Sequence, residues 1–277
     1  MKESNSKHRI LILGASGFLG QAIYKELCSY FNTFGTYRVS NKDFEKNQHY
    51  FQYNVEEDDV IEIIEATQPT IIISALRGDF SAQVIAHRHV FEYLKSHKTI
   101  KVIFLSSANV FDAYSQFPSY ENDKTLSHSV YGHFKIKIED MFMRLPKKQY
   151  AIVRLPMVFG AQSPRILEIK QQLTDNESIE IFPNLVINVT SDKKVTQQIH
   201  YIINRNKTGI YHLGSDDLVH HNDFIKDVVK SLGNYHPTYK QVYTTNDDRF
   251  LAVLPKDNKL PKHLATESKD VLKELHL

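Results

Sequence analysis

The stretch Arg9-Ile10-Leu11-Ile12-Leu13-Gly14-Ala15-Ser16-Gly17-Phe18-Leu19-Gly20 constrains this chain more than any other. An apolar run of strand length ends in glycines spaced G-x-x-G-x-x-G. Apolar residues then recur at helical spacing through Phe18, Leu19, Ala22, Ile23, Leu27 and Tyr30. Three of the chain's 10 glycines fall within these seven positions. A strand that turns on glycine into a helix presents free backbone N–H groups and the positive end of the helix dipole. Gly14 makes the tight turn, Gly17 lets backbone approach a pyrophosphate, and Gly20 lets helix pack on strand. With Ser16, Phe18 and Leu19 between them, they form a candidate dinucleotide-binding turn. A glycine triplet also serves plain turns; here the flanks on both sides carry the reading.

Composition narrows the classes. At 277 residues and 42% apolar, the chain is long enough for a large core or two domains. A net charge of +2 with interspersed signs lacks the footprint of a nucleic-acid binder. The single cysteine, Cys28, excludes an internal disulfide and suits a reducing compartment. The polar residues 1–7 lack the apolar core of a signal peptide, and no apolar run reaches membrane-span length. The expectation is a soluble cytoplasmic protein without membrane partners.

Strands and helices alternate after the glycine turn. Strands are expected at Thr33 to Tyr37, Phe51 to Tyr53, Thr70 to Ser74, Lys101 to Ser106 and Tyr150 to Leu155. Helices are expected at Asp58 to Ala66, Ser81 to Ser96 and Ser129 to Arg144. This pattern predicts an α/β fold, a Rossmann-type doubly wound parallel sheet. Residues 1–160 form the nucleotide-binding domain and 161–277 a smaller mixed C-terminal lobe for substrate. Helices there are expected at Arg165 to Gln172, Val195 to Asn204 and Asn222 to Leu232, with short strands at Ile179 to Phe182 and Leu185 to Asn188. Residues 209–214 are expected to return to the main sheet.

Two neighbouring elements carry candidate chemistry. Tyr131 and Lys135 stand four apart on a predicted helix and share a face. A phenol titrates near 10, and a nearby ammonium favours its phenolate, which makes the tyrosine a usable acid–base group. A second pair at this spacing, Tyr120 and Lys124, lies in loop composition next to Pro118 and Asn122-Asp123. Spacing alone also fits a surface tyrosine. Ser106 and Ser107 end a buried strand, where side chains face a ligand crevice or satisfy local turn hydrogen bonds. The 14 histidines, including His87/His89 and His220/His221, lack metal-site spacing, so no metal is expected. His133 turns to another helix face.

Together these pieces resemble the extended short-chain dehydrogenase/reductases of the NAD-dependent epimerase/dehydratase superfamily, and most the dTDP-4-dehydrorhamnose reductase branch. Phe104-Leu105-Ser106-Ser107-Ala108-Asn109-Val110-Phe111-Asp112 is similar to the family's strand ending in S-T-D-Y-V-F-D. Arg154-Leu155-Pro156-Met157-Val158-Phe159-Gly160 is similar to its R-x-x-x-V-Y-G stretch beside the nicotinamide, and Gly209-Ile210-Tyr211-His212-Leu213 to its G-x-Y-H segment. The resemblance covers nearly the whole chain in matching order. It depicts Tyr131 donating a proton to a substrate carbonyl while the nicotinamide delivers hydride. Ser107 bonds the same oxygen, and Lys135 lowers the Tyr131 pKa and binds nicotinamide-ribose hydroxyls.

The resemblance also places Ser106 and Leu155 near the cofactor. Asn54-Val55 stands where the family has an adenine-contacting Asp, and Ser74-Ala75-Leu76-Arg77-Gly78-Asp79 replaces an Asn-Ala-Ala turn. Arg38 at the end of the second strand, with no acid before Asp43, points to NADP, with NAD as the alternative; a solvated surface arginine reads the same. The implied activity is reduction of a keto-sugar nucleotide carbonyl. Two alternatives stay open: a nucleotide-sugar epimerase or dehydratase that retains NAD, and a non-catalytic NADP-binding regulatory subunit. A sugar nucleotide would draw on Arg165, Lys170, Lys193 or Lys194 for its pyrophosphate. A homodimer is compatible with the sequence.

Overall fold

The first strands of the chain each end at a polar or glycine-containing turn that lets the chain reverse into a helix. The computed structural model describes residues 8–244 and 246–275; the polar segment 1–7 lies outside them. In chain order the elements begin β1 (Arg9–Leu13), α1 (Phe18–Leu27), β2 (Asn32–Tyr37), α2 (Lys42–Glu45), β3 (Tyr50–Gln52), α3 (Val60–Thr67), β4 (Ile71–Ser74) and α4 (Phe80–Ser96). There follow β5 (Lys101–Ser107), α5 (Val130–Met143), β6 (Tyr150–Leu155), β7 (Met157–Phe159), α6 (Pro164–Thr174), β8 (Ile179–Ile181), β9 (Leu185–Ile187) and β10 (Val189–Ser191). The last are α7 (Asp192–Asn204), β11 (Gly209–His212), β12 (Val219–His220), α8 (His221–Leu232), β13 (Tyr239–Gln241), β14 (Arg249–Leu251) and α9 (Ser268–Leu275).

Among the described residues the main sheet has seven strands in the order β11-β6-β5-β4-β1-β2-β3. The pairs β1–β2, β1–β4, β2–β3 and β4–β5 are parallel. Residues 209–212 do return to this sheet, beside β6. The strand order reverses between β1 and β4, which makes the carboxyl ends of those two strands the switch point where ligands bind in such folds. Ile71, Ile72 and Ile73 are all buried, as a parallel strand covered on both faces requires. They belong to a sheet whose apolar core includes Leu11, Leu13, Ile72, Phe104, Ile138 and Phe142. Asp59 and Asp79 start α3 and α4 by accepting the N–H groups of Ile61 and Ala82.

The chain's contacts group into two units that interleave along the sequence. One runs to Ser106 and adds His133–Val153 and Ile199–Ile210; the other comprises Ser107–Gly132, Arg154–Gln198 and the chain from Tyr211 onward. The crossing of residue 160 has a local cause. Residues 115–121 are stitched to the C-terminal segment: Phe250 N–H bonds Ser115 O at 2.8 Å and Ser119 N–H bonds Ala252 O at 2.9 Å. The Glu121 carboxylate accepts the N–H groups of Lys256, Asp257 and Asn258. The second unit has its own core around Phe159, Ile166, Ile181, Ile187, Phe224 and Val228. Its strands are mostly three residues long, in the pairs β7–β10, β8–β13, and β9 with β12 and β14. Among the described residues, no helix is long and apolar enough to cross a membrane.

Candidate functional site

Gly14 adopts φ +82°, and a Cβ there would sit 2.7 Å from Ala75 O at the end of β4. Only glycine fits both demands. Its N–H is held by the Thr36 hydroxyl at 2.8 Å, and Ser16 N–H bonds Thr36 O at 3.2 Å, so β2 pins the turn. A Cβ on Gly20 would meet Gly14 O at 2.1 Å, so helix and turn touch backbone to backbone. A Cβ on Gly17 would reach only Gly14 O, at 3.4 Å, which leaves open space over the turn. Gly17 begins α1 with no side chain capping it. First-turn N–H groups left uncapped in this way are what a phosphate uses.

A cavity of about 220 Å³ lies over this turn. Of the expected cofactor contacts, Gly14, Ser16, Gly17, Arg38, Val55, Ala75 and Leu76 line it. Thr36, Tyr53 and Arg77 line it too and were not singled out by motif reasoning. Arg38 lies 3.4 Å from Glu56, both half exposed. Tyr53 buries its hydroxyl without a hydrogen-bond partner among the described residues. Burial pushes that phenol's pKa up, so it stays neutral.

Other expected contacts lie elsewhere. Asn54 is outside the cavity lining, its side chain accepting Glu56 N–H at 3.2 Å in a local turn. Ser74 is buried, and its hydroxyl bonds His87 Nε2 at 2.7 Å. His87 Nδ1 meets Gln83 O at 2.5 Å and so must carry the proton, which leaves Nε2 to accept from Ser74. Phe18 and Leu19 are half-buried in the first turn of α1, and Leu155 is buried in β6.

Below the end of β5 the first unit holds a buried polar cluster. Lys135 donates to Leu105 O at 2.8 Å, and its Nζ lies 4.7 Å over the Phe104 ring. Ser106 donates to the fully buried Glu139 carboxylate, one turn beyond Lys135 on α5. The Ser106 side chain is therefore turned toward α5, because successive strand residues face opposite sides. Burial pulls the Lys135 ammonium down to about 8, and the Glu139 carboxylate pulls it back upward. Burial also drives His87 down to about 4.

In the second unit the Ser107 hydroxyl contacts Asn109 Oδ1 at 2.9 Å and accepts Asn109 N–H at 3.2 Å, a local turn arrangement. Tyr131, 38% exposed, sits in the first turn of α5. Ser129 anchors that turn by accepting Gly132 N–H at 3.0 Å and donating to Asp112 at 2.5 Å. Tyr120 lies in loop, as read, with Lys256 Nζ 5.4 Å over its ring. Arg154 is fully buried, bonding Glu121 O at 3.1 Å and lying 4.8 Å over Phe111. Its guanidinium organises the interior of this unit.

Of the four basic residues considered for a pyrophosphate, Arg165 lines a polar cavity of about 310 Å³ within this unit, with His221, Lys240, Glu168 and Glu180. Lys170 and Lys193 are exposed and Lys194 is half-buried.

Comparison with solved structures agrees with this architecture. A dTDP-4-dehydrorhamnose reductase from Yersinia enterocolitica superposes with TM-score 0.77 at 19% identity, covering 98% of this chain and 100% of that one. The Bacillus anthracis dTDP-4-dehydrorhamnose reductase in complex with NADP gives 0.75 at 18% identity, with 97% of each chain covered. A Thermus thermophilus UDP-glucose 4-epimerase complex with NAD gives 0.77 at 12% identity, covering 96% of this chain and 98% of that one. Among curated proteins no sequence matches. The family described as RmlD substrate binding domain matches residues 8–263, and the chain belongs to that family.

Proposed function

We propose that the chain is an NADP-dependent reductase of a keto-sugar nucleotide, with Tyr131 as proton donor to the substrate carbonyl. One observation carries the reading: a buried, strand-anchored ammonium at Lys135 lies one helical turn below an exposed phenol at Tyr131. A positive charge close to a phenol favours its phenolate, and that is the part this reading gives Lys135 toward Tyr131. Ser107, at the end of the strand that holds Lys135, supplies a hydroxyl to the same substrate oxygen as charge develops on it.

The residues present fit a dinucleotide. The uncapped start of α1 and the open space over Gly17 suit a pyrophosphate, and Arg38 and Arg77 on the cavity wall suit a 2′-phosphate. When bound, the nicotinamide supplies the reducing equivalent as hydride. The sugar-nucleotide substrate is supported by family membership and by the cavity that Arg165 lines. Similar folds include proteins whose names specify dTDP- and UDP-linked sugars.

The test is mass spectrometry of small molecules co-purifying with the native protein, followed by an NADPH-oxidation screen against keto-sugar nucleotides. NADPH consumption with at least one of them is expected. NADPH binding without turnover of any would favour the regulatory reading instead.

A further inference from the structure

Tyr131, Lys135 and Glu139 follow one another at intervals of four along α5, so all three fall on one helix face. The last two are tied to consecutive residues of β5. Lys135 holds the Leu105 carbonyl, and Glu139 takes the hydroxyl of Ser106. Both side chains are buried, Glu139 at 0% exposure and Lys135 at 7%.

A buried ammonium loses its hydration and tends to discharge unless an opposite charge stands nearby. The groups facing Lys135 can be named element by element. From β5 come the Leu105 carbonyl and the face of the Phe104 ring. From α4 comes His87, edge-on to Phe104 at 5.3 Å, whose low pKa leaves it neutral at physiological pH. From α5 come the Phe134 ring, 5.4 Å from Nζ, and Glu139, one helical turn after Lys135. Of these, Glu139 is the carboxyl group, and it acts to raise Lys135 against burial.

We propose that Glu139 is a positioning residue for Lys135: its carboxylate, fixed by Ser106, keeps the buried lysine protonated and so sustains the acidity of Tyr131. The inference rests on the reductase reading for its consequence in turnover, but the charge state of Lys135 is a property of the protein alone. Burial holds the lysine down at about 8 even against the upward pull of the Glu139 carboxylate, so loss of that charge moves Lys135 further toward the neutral amine. Glutamine at position 139 keeps the shape and an acceptor for Ser106 while removing the charge.

The full-length protein labelled with ¹³C-lysine is titrated by NMR, with the Lys135 signal assigned by its loss in Lys135→Met. Glu139→Gln should lower the Lys135 midpoint by about one to three pH units, the effect expected of an opposite charge within a few ångströms. The alkaline limb of the turnover profile should move the same way, and Glu139→Asp should restore part of both. Ser106→Ala, which removes the donor that fixes the carboxylate, should move the midpoint in the same direction by less, and serves if the glutamine variant does not fold. A Lys135 midpoint unchanged in both Glu139→Gln and Ser106→Ala overturns the proposal. Absence of turnover in the wild type would instead count against the reductase reading, while the titration still decides the role of Glu139.

Discussion

Gly17 and Gly20 lie three residues apart in one turn, yet the structure gives their alanine variants opposite signatures. A Cβ at Gly20 would meet Gly14 O at 2.1 Å, Gly14 C at 2.8 Å and Ala15 Cα at 2.9 Å, all backbone atoms. Helix and turn must separate by more than about 1 Å, and overpacking of that kind costs about 1–3 kcal/mol. Gly17 has φ −77°, which alanine adopts freely, and its Cβ would make ordinary contact at 3.4 Å. Its stability should change by only about 0.5 kcal/mol, as at a surface site. The methyl would instead occupy the space where a pyrophosphate oxygen meets the first N–H groups of α1. Loss of one charged hydrogen bond, about 1.5–3 kcal/mol, weakens NADPH roughly ten- to a hundredfold. Urea unfolding of the apo variants and calorimetric NADPH titration separate the two effects. Wild-type NADPH affinity in Gly17→Ala would refute the cavity as the pyrophosphate seat, and wild-type stability in Gly20→Ala would refute the packing argument.

Cofactor preference should follow charge on the cavity wall. NADPH should bind more tightly than NADH, Arg38→Ala should cut that ratio roughly ten- to a hundredfold, and Arg77→Ala should lower it too. Glu56→Gln, which frees Arg38 from its ion pair, should raise it; equal wild-type affinities would contradict the NADP reading. Glu121→Ala should destabilise by about 1–3 kcal/mol in urea melts, because the N–H groups of Lys256, Asp257 and Asn258 lose their acceptor. Burial opposes ionisation of Glu121, yet those backbone donors outweigh it and depress its pKa. Its contribution is therefore present above the ordinary glutamate range and lost as pH falls through the lowered value. His87, His212 and His221 are pushed by burial to about 4, so the unfolded chain binds more protons between about 4 and 6.5. Stability should rise as pH increases across that window and be lost on acidification through it, and His87→Gln should flatten the slope; a flat wild-type profile would show that these rings are not buried neutral.

The opening β1–turn–α1 unit was legible because its residues obey local rules. Glycine with positive φ, an all-apolar strand and a 3.6-residue repeat each constrain the backbone without reference to distant chain. Much of the second unit was not legible. β8 and β9 could be read, but β7, β10, β12, β13 and β14 are two or three residues long, and pairing with distant partners, such as Tyr239 with Ile179, decides them. The site shows the same divide. Tyr131 and Lys135 are picked out by helix context and the family resemblance rather than by spacing alone, whereas Glu139 lies in Lys135-Ile136-Lys137-Ile138-Glu139-Asp140 and looks like any charged helix residue. Only the strand beneath it reveals the burial. Strand alternation leaves open which of the two serines faces a ligand, and nothing in the sequence shows that the Ser106 hydroxyl goes to Glu139. Arg77 was passed over because a turn arginine carries no period.

The most direct measurement is single-turnover loss of NADPH absorbance with a keto-sugar nucleotide substrate, in wild type, Tyr131→Phe and Tyr120→Phe. Rapid turnover is expected in wild type and Tyr120→Phe. Tyr131→Phe should lose at least about a hundredfold, the low end of what general acid catalysis contributes, with NADPH affinity unchanged. Wild-type turnover in Tyr131→Phe would contradict Tyr131 as the proton donor.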